Sequence, residues 1–238
     1  MTEWTHLVRS ASINQTKVKK ARRTRTRGTP AKVKTEGRRD TKKAAIQQRI
    51  VSAALSLFQS KGFDATTTRA IARKARIAEG TVFNYFKTKE DIALYFFEQE
   101  VDHAIEAVRK SPRLRSAPLE EKLFALIQSQ FEFLAPYQGF IGTALLEALR
   151  PASKLGFFSH KAQAVRHRYM GFVQDLFEES LPKQTLRHTN WWFPDAFWIY
   201  YMGALLFWLY DSSPRKQKTL AFLDSTLRVG VAIIKRAP

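Results

Sequence analysis

The amino-acid sequence predicts an all-α protein without a β-sheet. Apolar residues recur three and four positions apart along most of the 238-residue chain, which is the spacing of one buried helix face. The pattern is interrupted at Pro or Gly rather than at the two-residue turns that join hairpin strands. No segment of about 20–50 residues repeats, so a solenoid is not expected. The chain is therefore expected to bury amphipathic helices against one another.

The positive charge of the chain is concentrated in its first third. The formal net charge is +19; residues 1–91 contain 22 Lys and Arg against 7 Asp and Glu, whereas residues 92–238 contain 18 against 14. Such an excess predicts a polyanionic partner, nucleic acid first and an anionic membrane surface second. With 45% hydrophobic residues, the chain is long enough to form two domains with real cores.

Residues 1–40 are predicted to form a disordered basic arm. Between residues 17 and 43 the chain is mostly Lys, Arg, Thr, Ala, Gly and Pro, with almost no large apolar side chain to offset the entropy of ordering. Three interpretations of the arm stay open. It follows phosphates or enters the minor groove and adds salt-sensitive affinity; or Met1 is not the true start and part of the arm is never made; or it is a solvated tail.

The first predicted helix begins near Thr41 and ends at Lys61, where Gly62 supplies a C-terminal glycine. The apolar residues at helical spacing are Ile46, Ile50, Ala53, Ala54, Leu57 and Phe58. Two short helices around a tight turn are predicted to follow. Thr66 or Thr67 caps the first of them by accepting a backbone hydrogen bond.

The second short helix buries Val82 and Phe86, which lie one turn apart. This spacing leaves a small, polar and aromatic face that suits a DNA groove. The face consists of Glu79, Gly80, Thr81, Phe83, Asn84 and Tyr85. Together with the local positive charge, the two helices predict a DNA-binding helix-turn-helix.

The rest of the chain is predicted to be helical as well. A helix from Lys89 to Lys110 ends at Ser111 and Pro112, because proline disfavours a helical residue before it. Further helices are expected near 118–135, 137–149, 157–180, 190–210 and 215–236. The apolar run 196–210 is shorter than the roughly 20 residues needed to cross a membrane. A helix that is apolar all round must instead be covered on more than one side.

The segment from about Ala44 to Asp91 resembles the DNA-binding domain of the tetracycline-repressor (TetR) family of bacterial regulators. The resemblance rests on three blocks in the right order and spacing: LFQSKGF at 57–63, TTTRAIA at 66–72 and GTVFNYFKTKE at 80–90. It covers about a fifth of the chain. The resemblance implies a three-helix DNA-binding domain at 41–91 and a larger helical domain at 92–238 for ligand sensing and dimerisation.

The resemblance also implies which residues contact DNA. Thr68 and Arg69 would lie where the first helix of the motif meets the DNA, and Lys89 would touch a phosphate at the start of the next helix. The recognition helix would present Gly80, Thr81, Phe83, Asn84 and Tyr85. The family pattern further implies a pocket for a small-molecule inducer among the middle helices. It also implies a homodimer interface made by helices 190–210 and 215–236.

Two residues depart from the family pattern. Phe83 stands where the family usually has a Tyr whose hydroxyl reaches a phosphate. Glu79 adds a carboxylate that must either accept from a cytosine amino group or point away from phosphate. We expect this motif to bind phosphate less tightly than its relatives, and the basic arm to offset that loss.

Other functional classes lack sequence support. There are no cysteines, so disulfide and thiol chemistry is excluded, and no export signal is apparent, which favours the cytoplasm. The sequence contains no nucleophile, phosphate-loop or paired-carboxylate motif, so neither an enzyme nor a cofactor is predicted. No metal site is expected either, since the histidines do not form a recognisable triad. The histidines are His6, His103, His160, His167 and His188.

The predicted function is a ligand-responsive transcription regulator, most simply a repressor. Its homodimer would bind a near-palindromic operator in double-stranded DNA. A ligand held among residues 118–180 would tilt helix 89–110 and so change the spacing of the two recognition helices. Two alternatives stay open: an architectural DNA-binding protein without sequence preference, and a peripheral membrane protein that uses the arm and helix 190–210.

Overall fold

A computed structural model describes residues 32–148, 150, 153, 155–156, 159–189 and 192–236. Within these residues the chain forms ten α-helices and three short 3₁₀ turns, with no β-strand, which confirms the all-α prediction. The helices are α1 (Lys32–Lys61), α2 (Thr68–Ala75), α3 (Glu79–Tyr85), α4 (Lys89–Lys110), α5 (Leu119–Leu134), α6 (Gln138–Ala148), α7 (His160–Ser180), α8 (Lys183–Thr189), α9 (Phe193–Tyr210) and α10 (Gln217–Arg236). By packing, the chain divides into two units, residues 1–41 and 42–238.

Helix α1 begins earlier than the sequence predicted. It starts at Lys32 rather than near Thr41, inside the segment that was expected to be a disordered arm. Lys, Arg, Glu and Ala are good helix formers, and adding a residue to an existing helix avoids the cost of nucleation. The remainder of the predicted arm, residues 1–31, lies outside the described residues. At its other end α1 closes at Lys61 as predicted, with Gly62 at φ +83°.

The turn between α2 and α3 is made without a glycine. Thr67 caps α2 by accepting a hydrogen bond from the backbone N–H of Ala70 at 3.2 Å. The helix ends at Arg76, which adopts a left-handed conformation with φ 54°. The backbone N–H of Ile77 then donates to the carbonyl of Ala72 at 3.1 Å. This hydrogen-bond pattern closes the C-terminus of α2 and turns the chain into α3.

Helix α4 has the bounds that the sequence predicted, Lys89–Lys110, and packs mainly against α5 and α7. Thr88 caps it by accepting from the backbone N–H of Asp91 at 3.2 Å. The predicted helices after α4 are confirmed with ends shifted by a few residues, while α8 was not predicted. A helix of seven residues is too short to show periodicity. No described helix is both long and apolar enough to cross a membrane.

Aromatic packing gives residues 42–238 a continuous core. Phe58 of α1 stacks on Phe140 of α6, with ring centroids 4.9 Å apart, and Phe96 of α4 lies 6.1 Å from Phe140. Each of these rings is almost fully buried. The core therefore runs from α1 into the later helices without a gap. The domain boundary after residue 91 stays a prediction.

The connection between α9 and α10 is held by hydrogen bonds to Asp211. Its carboxylate accepts from the backbone N–H and the hydroxyl of Thr219 at 2.9 and 2.7 Å, and from the backbone N–H of Ser213 at 2.8 Å. Burial raises the pKa of Asp211, but these hydrogen bonds outweigh it and hold the pKa well below its ordinary value. Lys216 Nζ donates to the carbonyls of Asp211 and Trp208 at 2.7 and 2.9 Å. These contacts fix where α10 starts relative to α9.

Candidate nucleic-acid interface and internal cavity

Helix α3 presents a small outward face on a buried anchor. Val82 and Phe86 are buried as predicted, with 0% and 5% of their surface exposed. The outward residues are exposed at Gly80, Phe83 and Asn84 and half-buried at Thr81 and Tyr85. Phe83 keeps 40% of its surface exposed, so its ring is accessible to a partner on this face.

The Glu79 side chain, at the start of α3, contacts the first turn of α2. Its carboxylate accepts from the hydroxyl of Thr68 and from Nε of Arg69, both at 3.4 Å. The ion pair is exposed, so it contributes about 0–1 kcal/mol to stability. The arrangement nevertheless neutralises the carboxylate locally and links the first turn of α2 to the first turn of α3. This contact favours the second expectation for Glu79, namely that its carboxylate points away from phosphate.

The ammonium group of Lys89 is held by contacts with the segment before α2. Its ammonium donates to the carbonyls of Phe63 and Asp64 at 2.7 and 3.0 Å and lies 4.6 Å from the centre of the Phe63 ring. An ammonium has three N–H donors, so one is left for a phosphate. The residue thus joins the start of α4 to the segment before α2, a supporting contact that the sequence did not reveal.

We expect Lys89→Met to lower the free energy of unfolding by about 2 kcal/mol, because it removes hydrogen bonds from a charged donor to two carbonyls. Urea unfolding measures this change. Lys87→Met is the matched control, since Lys87 is exposed on the same segment and its loss should cost little. If Lys89→Met is as stable as the parent protein, the two hydrogen bonds of Lys89 do not stabilise the fold. Phosphate binding would then be the one role left for this residue.

Arg49 is a second supporting residue that sequence reasoning missed. Its guanidinium donates from α1 to the carbonyl of Ala75 at 2.5 Å and, more weakly, to that of Arg76 at 3.4 Å. These carbonyls lie at the C-terminus of α2, where a cation is favourable. Arg49 therefore holds α2 against α1. An exposed polar residue cannot be assigned such a role from helical spacing alone.

A cavity of about 130 Å³, partly open to the surface, lies among α4, α5, α6, α7 and α9 and is also lined by Leu155 between α6 and α7. Most of its wall is apolar. The apolar lining includes Leu94, Phe97, Val101, Leu134, Ile141, Val165, Met202 and Leu205. Helix α4 contributes to this wall and also carries Lys89 at its first turn. The same helix therefore contacts both the candidate nucleic-acid interface and the cavity.

Four buried polar residues interrupt the apolar wall, and we call them the polar cluster: Glu100 of α4, Gln130 of α5, Tyr169 of α7 and Tyr201 of α9. The amide nitrogen of Gln130 donates to the hydroxyl of Tyr201 at 3.1 Å. Three side-chain atoms lack a hydrogen-bond partner among the described residues: Oε1 of Glu100, Oε1 of Gln130 and the Tyr169 hydroxyl. Buried polar groups are normally paired, so the cluster suits a polar group of a ligand.

Burial sets the charge state of the cluster. It raises the pKa of Glu100 to about 8, although a hydrogen bond with Gln130 opposes the rise. Burial, followed by the nearby Glu100 carboxylate, raises the pKa values of Tyr169 and Tyr201 well above their ordinary value. At pH 7 Glu100 is therefore mostly a neutral acid that can donate as well as accept.

Arg166 lines the cavity from α7, but its charge is paired with a carboxylate of α9. Its guanidinium donates to the Asp195 carboxylate at 2.6 Å and lies 5.2 Å from the Trp198 ring centre. Among the described residues no group of three or more His, Cys, Asp or Glu side chains could hold a metal ion. The arrangement offers hydrogen bonding, charge pairing and apolar burial within one small space.

The all-α fold and the helix-turn-helix are typical of a class of DNA-binding regulators, and the comparisons with known proteins agree. The family model "Bacterial regulatory proteins, tetR family" matches residues 50–96, and the model "Tetracyclin repressor-like, C-terminal domain" matches residues 122–238. The two matches cover most of the chain. The chain belongs to the tetracycline-repressor family of bacterial regulators, as the resemblance in its sequence implied.

Individual relatives are more distant. The "Fatty acid metabolism regulator protein" of Bacillus subtilis (strain 168) is 33% identical over 86 residues, which is 36% of this chain and 44% of that protein. The chain spans less than half the length of the first curated relatives that it matches.

Solved structures show the same fold. The TetR transcriptional regulator from Nitrosomonas europaea ATCC 19718 has a TM-score of 0.61 at 18% identity, covering 79% of this chain and 98% of that one. The regulator FadR from Bacillus subtilis, solved in complex with stearoyl-CoA, has a TM-score of 0.58 at 22% identity, covering 76% and 96%.

Proposed function

We propose that this protein is a ligand-responsive transcription regulator that binds double-stranded DNA as a homodimer and represses from a near-palindromic operator. One observation carries the proposal: helix α4 is tied through Lys89 to the segment that leads into the helix-turn-helix, and it lines the cavity with Leu94, Phe97, Glu100 and Val101. A ligand in the cavity that moves α4 would therefore also move the contact between α4 and the DNA-binding segment. Function on DNA also favours the cytoplasm.

The surface proposed to contact DNA is the outward face of α3 together with the first turn of α2. Its members are Thr68, Arg69, Gly80, Thr81, Phe83, Asn84 and Tyr85, with Lys89 offering its third donor to a phosphate. An α-helix fits the major groove, where each base pair presents a distinct pattern of donors and acceptors. Phe83 is suited to a sugar or a thymine methyl group. That the basic arm offsets its missing hydroxyl remains a prediction.

We expect Asn84→Ala to weaken operator binding about 10- to 100-fold, because the exposed amide is suited to a base edge and such a contact discriminates by about 1–3 kcal/mol. Fluorescence anisotropy with operator and random duplexes at matched salt measures the change. Random DNA should be bound as before, since phosphate contacts do not depend on sequence. Ser60→Ala, which removes an exposed polar group from α1, is the matched control. An equal loss on both duplexes would argue against base contact.

A second copy of the chain is proposed to cover an exposed apolar surface on α9 and α10, the α9–α10 apolar face. It consists of Ile199, Leu206, Phe207, Tyr210, Val229 and Ile233, all of them large hydrophobic residues exposed to solvent. Several exposed large apolar side chains on two consecutive helices favour an interaction site. Gly203 has no atom within 4 Å of where a Cβ would stand, so a partner helix can approach closely there. The place of the face on the last two helices agrees with the predicted dimer interface.

The proposed switch is carried by ion pairs between α7 and α4. Lys161 contacts Asp91 at 2.5 Å, close to the start of α4, and Arg168 contacts Asp102 at 2.6 Å further along. Helix α7 also lines the cavity. At about 130 Å³ the cavity is smaller than usual ligand pockets of roughly 300–1,000 Å³, so a ligand that exceeds this space would push these helices apart. A coupling of about 1–3 kcal/mol changes operator affinity by about 5- to 150-fold.

A further inference from the structure

We propose that the cavity binds a small lipophilic amine in its protonated form, with Glu100 as the opposite charge. This assignment rests on the proposed function, because it names the chemical class of the ligand for the same cavity. It is carried by the hydrogen-bonding capacity of the polar cluster, by the rings around it and by the distribution of charge in the wall.

Two unpaired oxygens of the polar cluster can take a hydrogen bond from a ligand: the Gln130 amide oxygen, which only accepts, and the Glu100 carboxyl oxygen, which accepts when that group is ionised. Oε1 of Glu100 and Oε1 of Gln130 have no partner among the described residues, and neither residue exposes more than 3% of its surface. An ammonium carries three N–H donors and no acceptor, so it can satisfy both oxygens. A carboxylate, phosphate or thioester carbonyl brings acceptors and would leave the Gln130 oxygen unpaired.

Aromatic rings surround the same place. The rings of Tyr169 and Tyr201 have centroids 5.1 Å apart, whereas the neighbouring Trp198 ring already faces the Arg166 guanidinium. Aromatic faces attract a cation, more strongly where water is excluded. The remaining wall, with Phe97 and Leu134, is suited to a hydrocarbon body. The space is comparable to one that holds a single benzene ring, so the ligand should be small.

The charges in the wall favour a cation over an anion. The titratable groups that line the cavity are Glu100 from α4, Arg166 and Tyr169 from α7, and Tyr201 from α9. Arg166 pairs with Asp195, and the two tyrosines stay neutral because burial raises their pKa values. Glu100 is thus the one ionisable group in the described wall that can supply a negative charge, and it has no cationic partner there. When an ammonium binds, the neutral acid releases its proton to solvent and the carboxylate pairs with the nitrogen.

Isothermal titration of the full chain with three probes tests the assignment: 2-phenylethylamine, 2-phenylethanol and phenylacetate, which share a ring and differ in the polar end. At pH 6 we expect the amine to bind at least about tenfold more tightly than the alcohol, and phenylacetate not to bind at millimolar concentration. Repeating the titration in buffers of different protonation enthalpy should show about one proton released per bound amine, since the pKa of Glu100 is about 8.

Glu100→Gln should reduce amine binding to the level of the alcohol and abolish proton release, while alcohol binding is unchanged. Glu106→Gln, an exposed position on the same helix, should behave like the parent. The assignment is overturned if phenylacetate binds as tightly as the amine, if the amine does not bind at millimolar concentration, or if Glu100→Gln still releases a proton. These outcomes involve no DNA. If instead the amine binds as expected and operator affinity does not change, the ligand class stands and the proposed switch fails.

Discussion

At pH 7, Glu100→Gln is expected to be more stable than the parent protein by about 3 kcal/mol. Burial raises the pKa of Glu100 from 4.5 to about 8 in the folded protein, while in the unfolded chain the group titrates near its ordinary value. Between these two values the folded state holds a proton that the unfolded state has lost. Stability attributable to Glu100 is therefore fully present below pH 4.5 and is lost as the pH rises through 8. Glutamine has a similar shape and cannot ionise, so it removes this dependence.

Urea unfolding of both proteins at pH 5, 6, 7 and 8, at one fixed protein concentration, measures the effect. The difference in unfolding free energy should be small at pH 5 and grow by up to about 1.4 kcal/mol per pH unit until the pH passes 8. Glu106→Gln on the exposed side of α4 should show no such growth. A constant difference between parent and Glu100→Gln across this range would contradict a buried, mostly protonated Glu100.

Ile199→Glu is expected to convert the proposed homodimer into monomers and to lower operator affinity at least about 100-fold. Ile199 exposes 70% of its surface on the α9–α10 apolar face, so the substitution leaves the isolated fold intact. In a symmetric dimer each substitution occurs twice, and an unpaired buried charge costs several kcal/mol. A monomer contacts one half-site only. It therefore loses the added affinity that comes from two linked recognition helices binding the same DNA molecule.

Light scattering after size exclusion measures the mass, and anisotropy on the operator measures affinity. Ala107→Glu adds the same charge at an exposed position of α4 and should remain a dimer with parent affinity. A dimeric Ile199→Glu protein with unchanged operator binding would show that another surface joins the two copies.

The sequence predicts the helices whose ends are marked by a capping residue or by a proline. Helix α4 has its predicted bounds because Thr88 caps its start and Pro112 follows its end. The helix-turn-helix is predicted from capping and from the buried pair Val82 and Phe86. The turn at Arg76 was not foreseen in detail, since a left-handed conformation favours glycine and here an Arg adopts it. The start of α1 at Lys32 cannot be predicted from hydrophobic periodicity, because residues 32–40 contain almost no large apolar side chain.

The cavity and its polar cluster could not be predicted, because they depend on how five helices meet. Glu100 lies between Phe97 and Val101 on the buried side of α4, and a carboxylate in that stripe is the one signal the sequence offers. Its partners Gln130 and Tyr201 are 30 and more positions away along the chain. Helical spacing assigns each of them to a buried face without saying which faces surround an empty space.

Selection of DNA by the purified full chain tests the central claim most directly. Selected duplexes are sequenced, and their binding is compared with that of random DNA at several salt concentrations. We expect a near-palindrome whose half-sites are about 34–36 Å apart, centre to centre, bound at least about 1,000-fold more tightly than random DNA. Both affinities should fall with salt, because phosphate contacts release counterions. Failure to enrich any sequence, with equal affinity for all duplexes at every salt concentration, would contradict the account and favour an architectural DNA-binding protein.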